Sequence, residues 1–134
     1  MDIVYEPPGV EEYLELRAEA GLSPKSAEGA AKGLPNSLFA VTLREEGRLI
    51  GMGRVIGDGG CFFEVTDIAV RESYRGTGKG RLIMNEIMKY LHEHVPPLGF
   101  VSLVANIKAV TLYESCGFRR VLPHAEGMSW RQKG

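Results

Sequence analysis

The chain has 134 residues, 44% hydrophobic and 25% charged, which is typical of one folded domain and excludes a largely disordered chain. Sixteen Lys and Arg against seventeen Asp and Glu leave a net charge of −1, which argues against a nucleic-acid-binding protein. No apolar run is long enough to cross a membrane, the acidic start lacks a signal-peptide pattern, and two cysteines show no metal-ligand spacing. We therefore expect one cytoplasmic domain over residues 1–134, without membrane contact or a metal site.

The first half of the chain predicts two helices and an antiparallel meander. A short strand is expected at residues 3–5, and apolar residues at helical spacing predict a helix over 10–20 that Gly21 ends. Ser23 and Pro24 have the pattern of an N-cap and first helical position, so a second helix is expected from there to Gly33. Alternating, β-branched and aromatic segments predict three strands, at residues 37–44, 48–58 and 61–70.

The second half predicts a helix between two parallel strands. A long amphipathic helix over 81–95 ends at two prolines, and a strand follows at 100–105. A strand, a turn, a helix and a strand in that order form a βαβ unit, so strands four and five should be parallel. A helix over 108–116 and closing strands at 118–122 and 128–131 complete the expected α/β fold, a mixed and mostly antiparallel sheet flanked by helices.

A glycine-rich turn lies between the strongest strand and the strongest helix. It comprises Arg75, Gly76, Thr77, Gly78, Lys79 and Gly80. Three glycines let successive backbone N–H groups point into one concavity, and the first turn of the helix adds unpaired N–H groups that favour an anion. Neither the Walker A spacing nor the dinucleotide-binding spacing is present. The turn therefore predicts a phosphate site of another kind.

Two separate motifs resemble one protein family. The run from Thr66 to Gly76 (TDIAVRESYRG) leads into the Arg-x-x-Gly-x-Gly pattern of the GNAT superfamily of acetyl-CoA-dependent N-acetyltransferases. The run from Asn106 to Phe118 (NIKAVTLYESCGF) resembles the second motif of that superfamily. The motifs stand in the family order with one helix and one strand between them. The resemblance implies the GNAT fold, with strands four and five splayed around acetyl-CoA.

The resemblance also implies which residues hold acetyl-CoA. The backbones of Ile68, Ala69 and Val70 would bind the thioester and pantetheine, and the Ile68 N–H would stabilise the oxyanion. Residues 75–80 would wrap the pyrophosphate, and Asn106 would bind the pantetheine arm. No metal is expected.

The resemblance implies Tyr113 as general acid for the leaving thiolate, because a phenol stays protonated at neutral pH. Glu64 is the candidate base, at a position where some family members carry a catalytic glutamate, although others have no dedicated base. Strand alternation predicts that the side chains of Glu64 and Ile68 share one face, with Glu64 acting through water. Cys116 is interpreted as a packing residue.

The expected function is direct, sequential transfer of acetyl from acetyl-CoA to a primary amine of a small molecule. A hexosamine phosphate and a peptide or protein amine stay open as acceptors, and a homodimer stays open as the assembly. The alternative from another class is a non-catalytic acyl-CoA-binding module.

Overall fold

The computed structural model describes residues 1–133 and forms two compact units, Met1–Leu103 and the residues from Val104 onward. Its helices and strands follow in the order β1 (Asp2–Val4), α1 (Val10–Glu19), α2 (Ala27–Gly33), β2 (Phe39–Glu45), β3 (Arg48–Gly57), β4 (Phe62–Val70), α3 (Lys79–His94), β5 (Phe100–Ser102) and α4 (Val110–Ser115). Short 3-10 turns lie at Leu34–Asn36, Glu72–Tyr74 and Ile107–Ala109.

The first unit contains one five-stranded sheet in the order β1-β2-β3-β4-β5. Neighbours from β1 to β4 are antiparallel, and β4 and β5 are parallel. This confirms the meander, the βαβ unit and the mixed sheet predicted from the sequence.

Helices cover both faces of this sheet. On one face, Tyr13 and Leu16 of α1 and Ala30 of α2 pack with Met52 and Ala69 of the sheet. On the other face, α3 buries an apolar stripe against β3, where glycines allow it to come close. A Cβ built on Gly53 would lie 2.7 Å from the Ile83 side chain and 2.9 Å from the Ile87 side chain, so a larger residue there would force these side chains to shift.

The predicted start of the second helix is wrong. The helix begins at Ala27, and the Ser26 hydroxyl caps it by accepting the Gly29 N–H at 2.9 Å. Ser23 is engaged elsewhere, because its carbonyl and hydroxyl oxygens both accept hydrogen bonds from the Arg17 guanidinium. A serine already used as an acceptor for a buried cation does not cap a helix here.

The predicted closing strands at 118–122 and 128–131 are also wrong. Neither segment forms a ladder with any part of residues 1–133. Pro123 has no N–H to donate, and the Ala125 N–H turns back to the Val121 carbonyl at 3.0 Å. The side chains of Met128 and Trp130 are 94% and 82% exposed. The fifth strand is likewise shorter than predicted.

Candidate active site

The edge of β4 that faces β5 is only partly paired. The two strands are in register at Phe62↔Phe100, Phe63↔Val101 and Glu64↔Ser102, and β5 ends there while β4 continues to Val70. The backbone N–H and C=O groups on the β5 side of the last part of β4 therefore have no ladder partner in β5. A strand edge left open inside a fold is able to hydrogen-bond an extended ligand.

A bulge reshapes β4 at the start of this open edge. The register with β3 changes between Met52↔Ala69 and Arg54↔Thr66, and Asp67 has a left-handed φ of 61°. Such a bulge bends the strand and re-aims the residues beside it. The next residue, Ile68, places its side chain over Gly53 beside α3.

The bulge overturns the predicted alternation along β4. Thr66 is paired with Arg54, whose side chain reaches Gly33 on the α1–α2 face, and Glu64 lies two residues before Thr66 on the same face. The Ile68 side chain lies on the opposite face, toward α3. The inserted residue reverses the faces, so Glu64 and Ile68 do not point the same way.

A buried polar cluster holds the bulge. One carboxylate oxygen of Asp67 accepts a hydrogen bond from Arg17, and the other accepts from Arg54 Nε at 2.8 Å and from the Tyr13 hydroxyl at 2.7 Å. All four side chains are buried, and both guanidinium groups lie within 6 Å of the Tyr13 ring centroid, at 5.6 and 5.8 Å. Burial and the neighbouring Asp67 raise the pKa of Tyr13, so its hydroxyl remains a donor.

A third buried cation anchors the end of β4. Arg71 donates from Nε to the Leu49 carbonyl at 2.9 Å and from Nη1 to Glu15 at 2.7 Å. Its Nη1 also reaches Glu19 at 3.2 Å, and Glu19 accepts the Glu72 backbone N–H at 2.9 Å, which lowers the pKa of that carboxyl. Helix α1 thus fixes the point where the chain leaves the sheet.

The glycine-rich turn forms a cradle of unpaired N–H groups. Gly76 and Gly78 have φ values of 77° and 81°, in the left-handed region that glycine enters without strain. The backbone N–H groups from residue 76 to residue 80 form no hydrogen bond with any of residues 1–133. Among residues 1–133, neither Arg75 nor Lys79 forms an ion pair with an acidic side chain. Positive charge, free N–H groups and the start of α3 are features that favour an anion at this cradle.

The second unit orders the motif around α4. Asn106 caps the 3-10 turn by accepting the Lys108 N–H on Oδ1 at 3.0 Å, and its amide nitrogen has no partner within the described chain. Gly117, at a φ of 100°, reverses the chain after α4 so that the Phe118 ring packs edge-on against Tyr113, with 6.4 Å between centroids. This contact explains why Gly-Phe follows the tyrosine at that spacing.

Tyr113 has the properties of a proton donor. Its side chain is half-buried, and its hydroxyl forms no hydrogen bond with any of residues 1–133. Burial, with a smaller contribution from Cys116, raises the pKa of Tyr113 above its usual value near 10. The phenol is therefore protonated throughout the neutral range.

Residues 6–118 match the family model described as "Acetyltransferase (GNAT) family". The chain belongs to the GNAT acetyltransferase family. Among solved structures, a Staphylococcus aureus protein of unknown function described as a probable acetyltransferase is 49% identical, with a TM-score of 0.94 over 98% of each chain. A GNAT family acetyltransferase from Streptococcus pneumoniae is 25% identical, with a TM-score of 0.75 over 99% of this chain and 100% of that chain.

Curated GNAT relatives are longer. The chloroplastic GCN5-related N-acetyltransferase 2 of Arabidopsis thaliana is 29% identical over 90 residues, which are 67% of this chain and 34% of that protein. This chain therefore spans about a third of the length of that relative. The matched GNAT region includes both motifs on which the sequence prediction rested.

The predicted GNAT site residues fall into two groups. Ile68, Ala69 and Val70 form the open edge of β4 in the first unit, and a short turn joins them to the cradle at residues 75–80. Asn106 and Tyr113 lie in the second unit. Sequence reasoning missed the cluster around Asp67; the available signal was a carboxylate that directly precedes the apolar end of the strand, residues 68–70. Among residues 1–133, no group of His, Cys, Asp and Glu could hold a metal ion, and no helix is long and apolar enough to cross a membrane.

Proposed function

We propose that this protein transfers acetyl from acetyl-CoA to a primary amine of a small molecule in one direct step. The observation that carries the proposal is an open strand edge that leads, through one short turn, into a cradle of unpaired N–H groups. An extended amide-bearing arm fits the first and a pyrophosphate fits the second. Coenzyme A has both parts in that order.

The proposal assigns each part of acetyl-CoA to particular residues. Residues 75–80 bind the pyrophosphate, and the backbones of Ala69 and Val70 bind the pantetheine arm together with the Asn106 amide. The Ile68 N–H hydrogen-bonds the thioester oxygen as negative charge develops on it. These assignments rest on the family resemblance and on the unpaired groups described above.

The chemistry needs no covalent enzyme intermediate. The neutral amine attacks the thioester carbon, a C–N bond forms, and the C–S bond breaks. Tyr113 donates its hydroxyl proton to the leaving thiolate. The proton released by the amine passes to Glu64 through water or directly to solvent. Glu64 is half-buried on the α1–α2 face, and its role as base remains a proposal.

A thiol-release assay with a panel of amines tests this function. The panel contains small primary amines, a hexosamine phosphate and a peptide with a free amino terminus, and the blank omits the amine. We expect at least one small amine to accelerate release of coenzyme A well above the blank. Tight acetyl-CoA binding without release by any amine would instead support a non-catalytic acyl-CoA-binding module. Turnover of the peptide alone would contradict the small-molecule acceptor.

Gly78→Asp should lower acetyl-CoA affinity at least about tenfold, equivalent to about 1.4 kcal/mol. It places a carboxylate and a Cβ in the cradle, at a left-handed φ of 81° and in open space. Calorimetric titration with acetyl-CoA measures the change. Gly78→Asn is the matched control, because it has the same shape and tolerates the left-handed conformation but carries no charge. Wild-type affinity in folded Gly78→Asp would contradict the pyrophosphate assignment.

Direct transfer predicts that neither cysteine is essential. Cys61 is exposed and Cys116 is half-buried, and the described residues contain no disulfide between them. Cys61→Ser and Cys116→Ser should both retain turnover, with any loss confined to stability. Initial rates against both substrates should give the intersecting pattern of a sequential mechanism. Parallel lines, or an acetylated Cys116 in the mass spectrum, would establish a covalent intermediate instead.

A further inference from the structure

A cavity of about 190 Å³ lies beside the cluster that holds the β4 bulge. Its wall includes Tyr13 of α1, Arg54 of β3 and Lys25, which precedes α2. Ala30 and Gly33 of α2 also line it and add little side-chain volume. One water occupies about 30 Å³ in the liquid, so the cavity has room for a small organic group.

The cluster behind this cavity has more positive than negative charge. Two buried guanidiniums, of Arg17 and Arg54, share the single carboxylate of Asp67. The buried ion pairs therefore leave one positive charge without a counter-charge, in surroundings where an unpaired charge is costly. Lys25 is exposed and has no acidic partner among residues 1–133, which adds a second positive charge at the mouth of the cavity.

Arg54 also has an unused donor. Its Nε bonds to Asp67, and its Nη1 bonds to the Ser37 hydroxyl at 2.9 Å and approaches the Gly33 carbonyl at 3.4 Å. Its Nη2 forms no hydrogen bond with residues 1–133, although the side chain is only 10% exposed. No fully buried polar side-chain atom of those residues lacks a partner, so Nη2 must be reached by solvent. Arg54 is also one of the residues that line the cavity.

Arg17 is used differently. Its Nε and Nη2 donate to Ser23, and its Nη1 donates to Asp67. Every nitrogen of Arg17 is occupied, whereas Arg54 keeps one free donor.

We propose that this cavity binds an anionic group, a carboxylate or a phosphate, of the acceptor amine. The proposal rests on the acetyl-transfer function above and narrows its acceptor to amines that carry a negative charge. Arg54 Nη2 donates a charge-assisted hydrogen bond to the anion, and Lys25 supplies a second contact from the mouth. Arg54 is bonded to Asp67, the residue before Ile68, so an anion held there brings the acceptor to the strand that binds the thioester.

The first test compares matched amines in the thiol-release assay. In the carboxylate arm, each amine that carries a carboxylate is compared with its neutral ester. In the phosphate arm, each amine that carries a phosphate is compared with the corresponding neutral alcohol. We expect the anionic member to have at least about a tenfold higher kcat/KM in one arm, the effect of one charged contact. Equal kcat/KM for charged and neutral members in both arms would overturn the proposal.

Lys25→Glu tests the site without disturbing the buried cluster, which Arg54 itself helps to hold. We expect this variant to raise KM for the anionic amine about tenfold and to leave KM for acetyl-CoA unchanged. Lys32→Glu is the matched control, because it changes the charge by the same amount at a position of α2 that does not line the cavity. Lys32 forms an exposed ion pair with Glu28. A similar KM increase in both variants would show a general field effect and overturn the assignment.

A binding measurement separates this proposal from the function on which it rests. Acetate and inorganic phosphate are titrated separately against wild type, Lys25→Glu and Lys32→Glu, and Tm is followed. At least one anion should raise Tm in wild type and Lys32→Glu more than in Lys25→Glu, even if no amine in the panel is acetylated. Identical titrations in all three proteins would overturn the anion site while leaving acetyl transfer standing.

Discussion

Asp67→Asn should lower the free energy of unfolding by about 3–5 kcal/mol, a large part of the roughly 5–15 kcal/mol that stabilises a typical domain. Asparagine has the shape of aspartate and tolerates the left-handed φ of 61°, so the substitution removes charge without adding backbone strain. It leaves two buried guanidinium groups, Arg17 and Arg54, with no counter-charge. Urea denaturation followed by circular dichroism measures the loss.

Asp2→Asn is the control for this prediction. It makes the same chemical change on an exposed residue of β1 and should alter stability by no more than about 0.5 kcal/mol. If Asp67→Asn also changed stability by less than about 1 kcal/mol, the guanidiniums would not depend on this carboxylate. That result would remove the reason for inferring an uncompensated positive charge beside the cavity.

Tyr113→Phe should reduce kcat and kcat/KM together by about 10²-fold, while acetyl-CoA affinity stays at the wild-type value. Phenylalanine keeps the ring that packs on Phe118 and removes only the proton that the thiolate receives. General-acid catalysis contributes about 10²- to 10⁴-fold, and a thiolate leaves readily, so the lower end is expected. Steady-state rates and calorimetric titration separate the two quantities.

The pH profile gives the same prediction an independent readout. Because burial raises the pKa of Tyr113, its hydroxyl is protonated at neutral pH. Deprotonation of this hydroxyl limits the rate only when the pH exceeds the raised pKa. The alkaline fall in kcat should therefore be present in the wild type and flattened in Tyr113→Phe. Tyr90→Phe is the control, because burial also raises the pKa of this half-buried tyrosine, which stacks on Phe39. Full kcat in Tyr113→Phe would show that water protonates the thiolate.

The elements that the sequence predicted well are those set by local pattern. The glycines at 76 and 78 allow the left-handed backbone of the turn, and the amphipathic stripe of α3 follows them directly, so neighbouring residues alone were enough to place the cradle. The parallel pairing of β4 and β5 followed from the helix between them. Gly117 likewise ends α4 close to Tyr113, and Phe118 packs against that tyrosine from only five residues away.

The features that the sequence did not predict depend on contacts between distant residues. Asp67 and Arg17 are 50 positions apart, and the bulge that reverses the faces of β4 becomes visible only when β3 is laid beside it. The start of α2 depended on the same packing. Both Ser23 and Ser26 fit an N-cap, and the choice between them was made by Arg17, which takes the oxygens of Ser23. The segments expected as closing strands have suitable side chains but no neighbouring strand within residues 1–133.

Helix α1 contacts β4 at two places, the bulge where the open edge begins and the residues just after the strand ends. These two attachments couple the motion of the helix to that of the strand. Tyr13 and Arg17 hold the bulge, while Glu15 and Glu19 hold Arg71 and Glu72 beyond the last residue of the strand. A fluctuation that frees α1 must release both attachments, so the helix, the bulge and the start of the cradle form one cooperative unit of local opening. Amide hydrogen exchange at Arg71 and at Glu72, whose N–H groups bond to Ile50 and Glu19, should then share the opening free energy of the α1 amides. The stability of α1 would therefore determine how long the open edge of β4 keeps its conformation between the release of one ligand and the binding of the next.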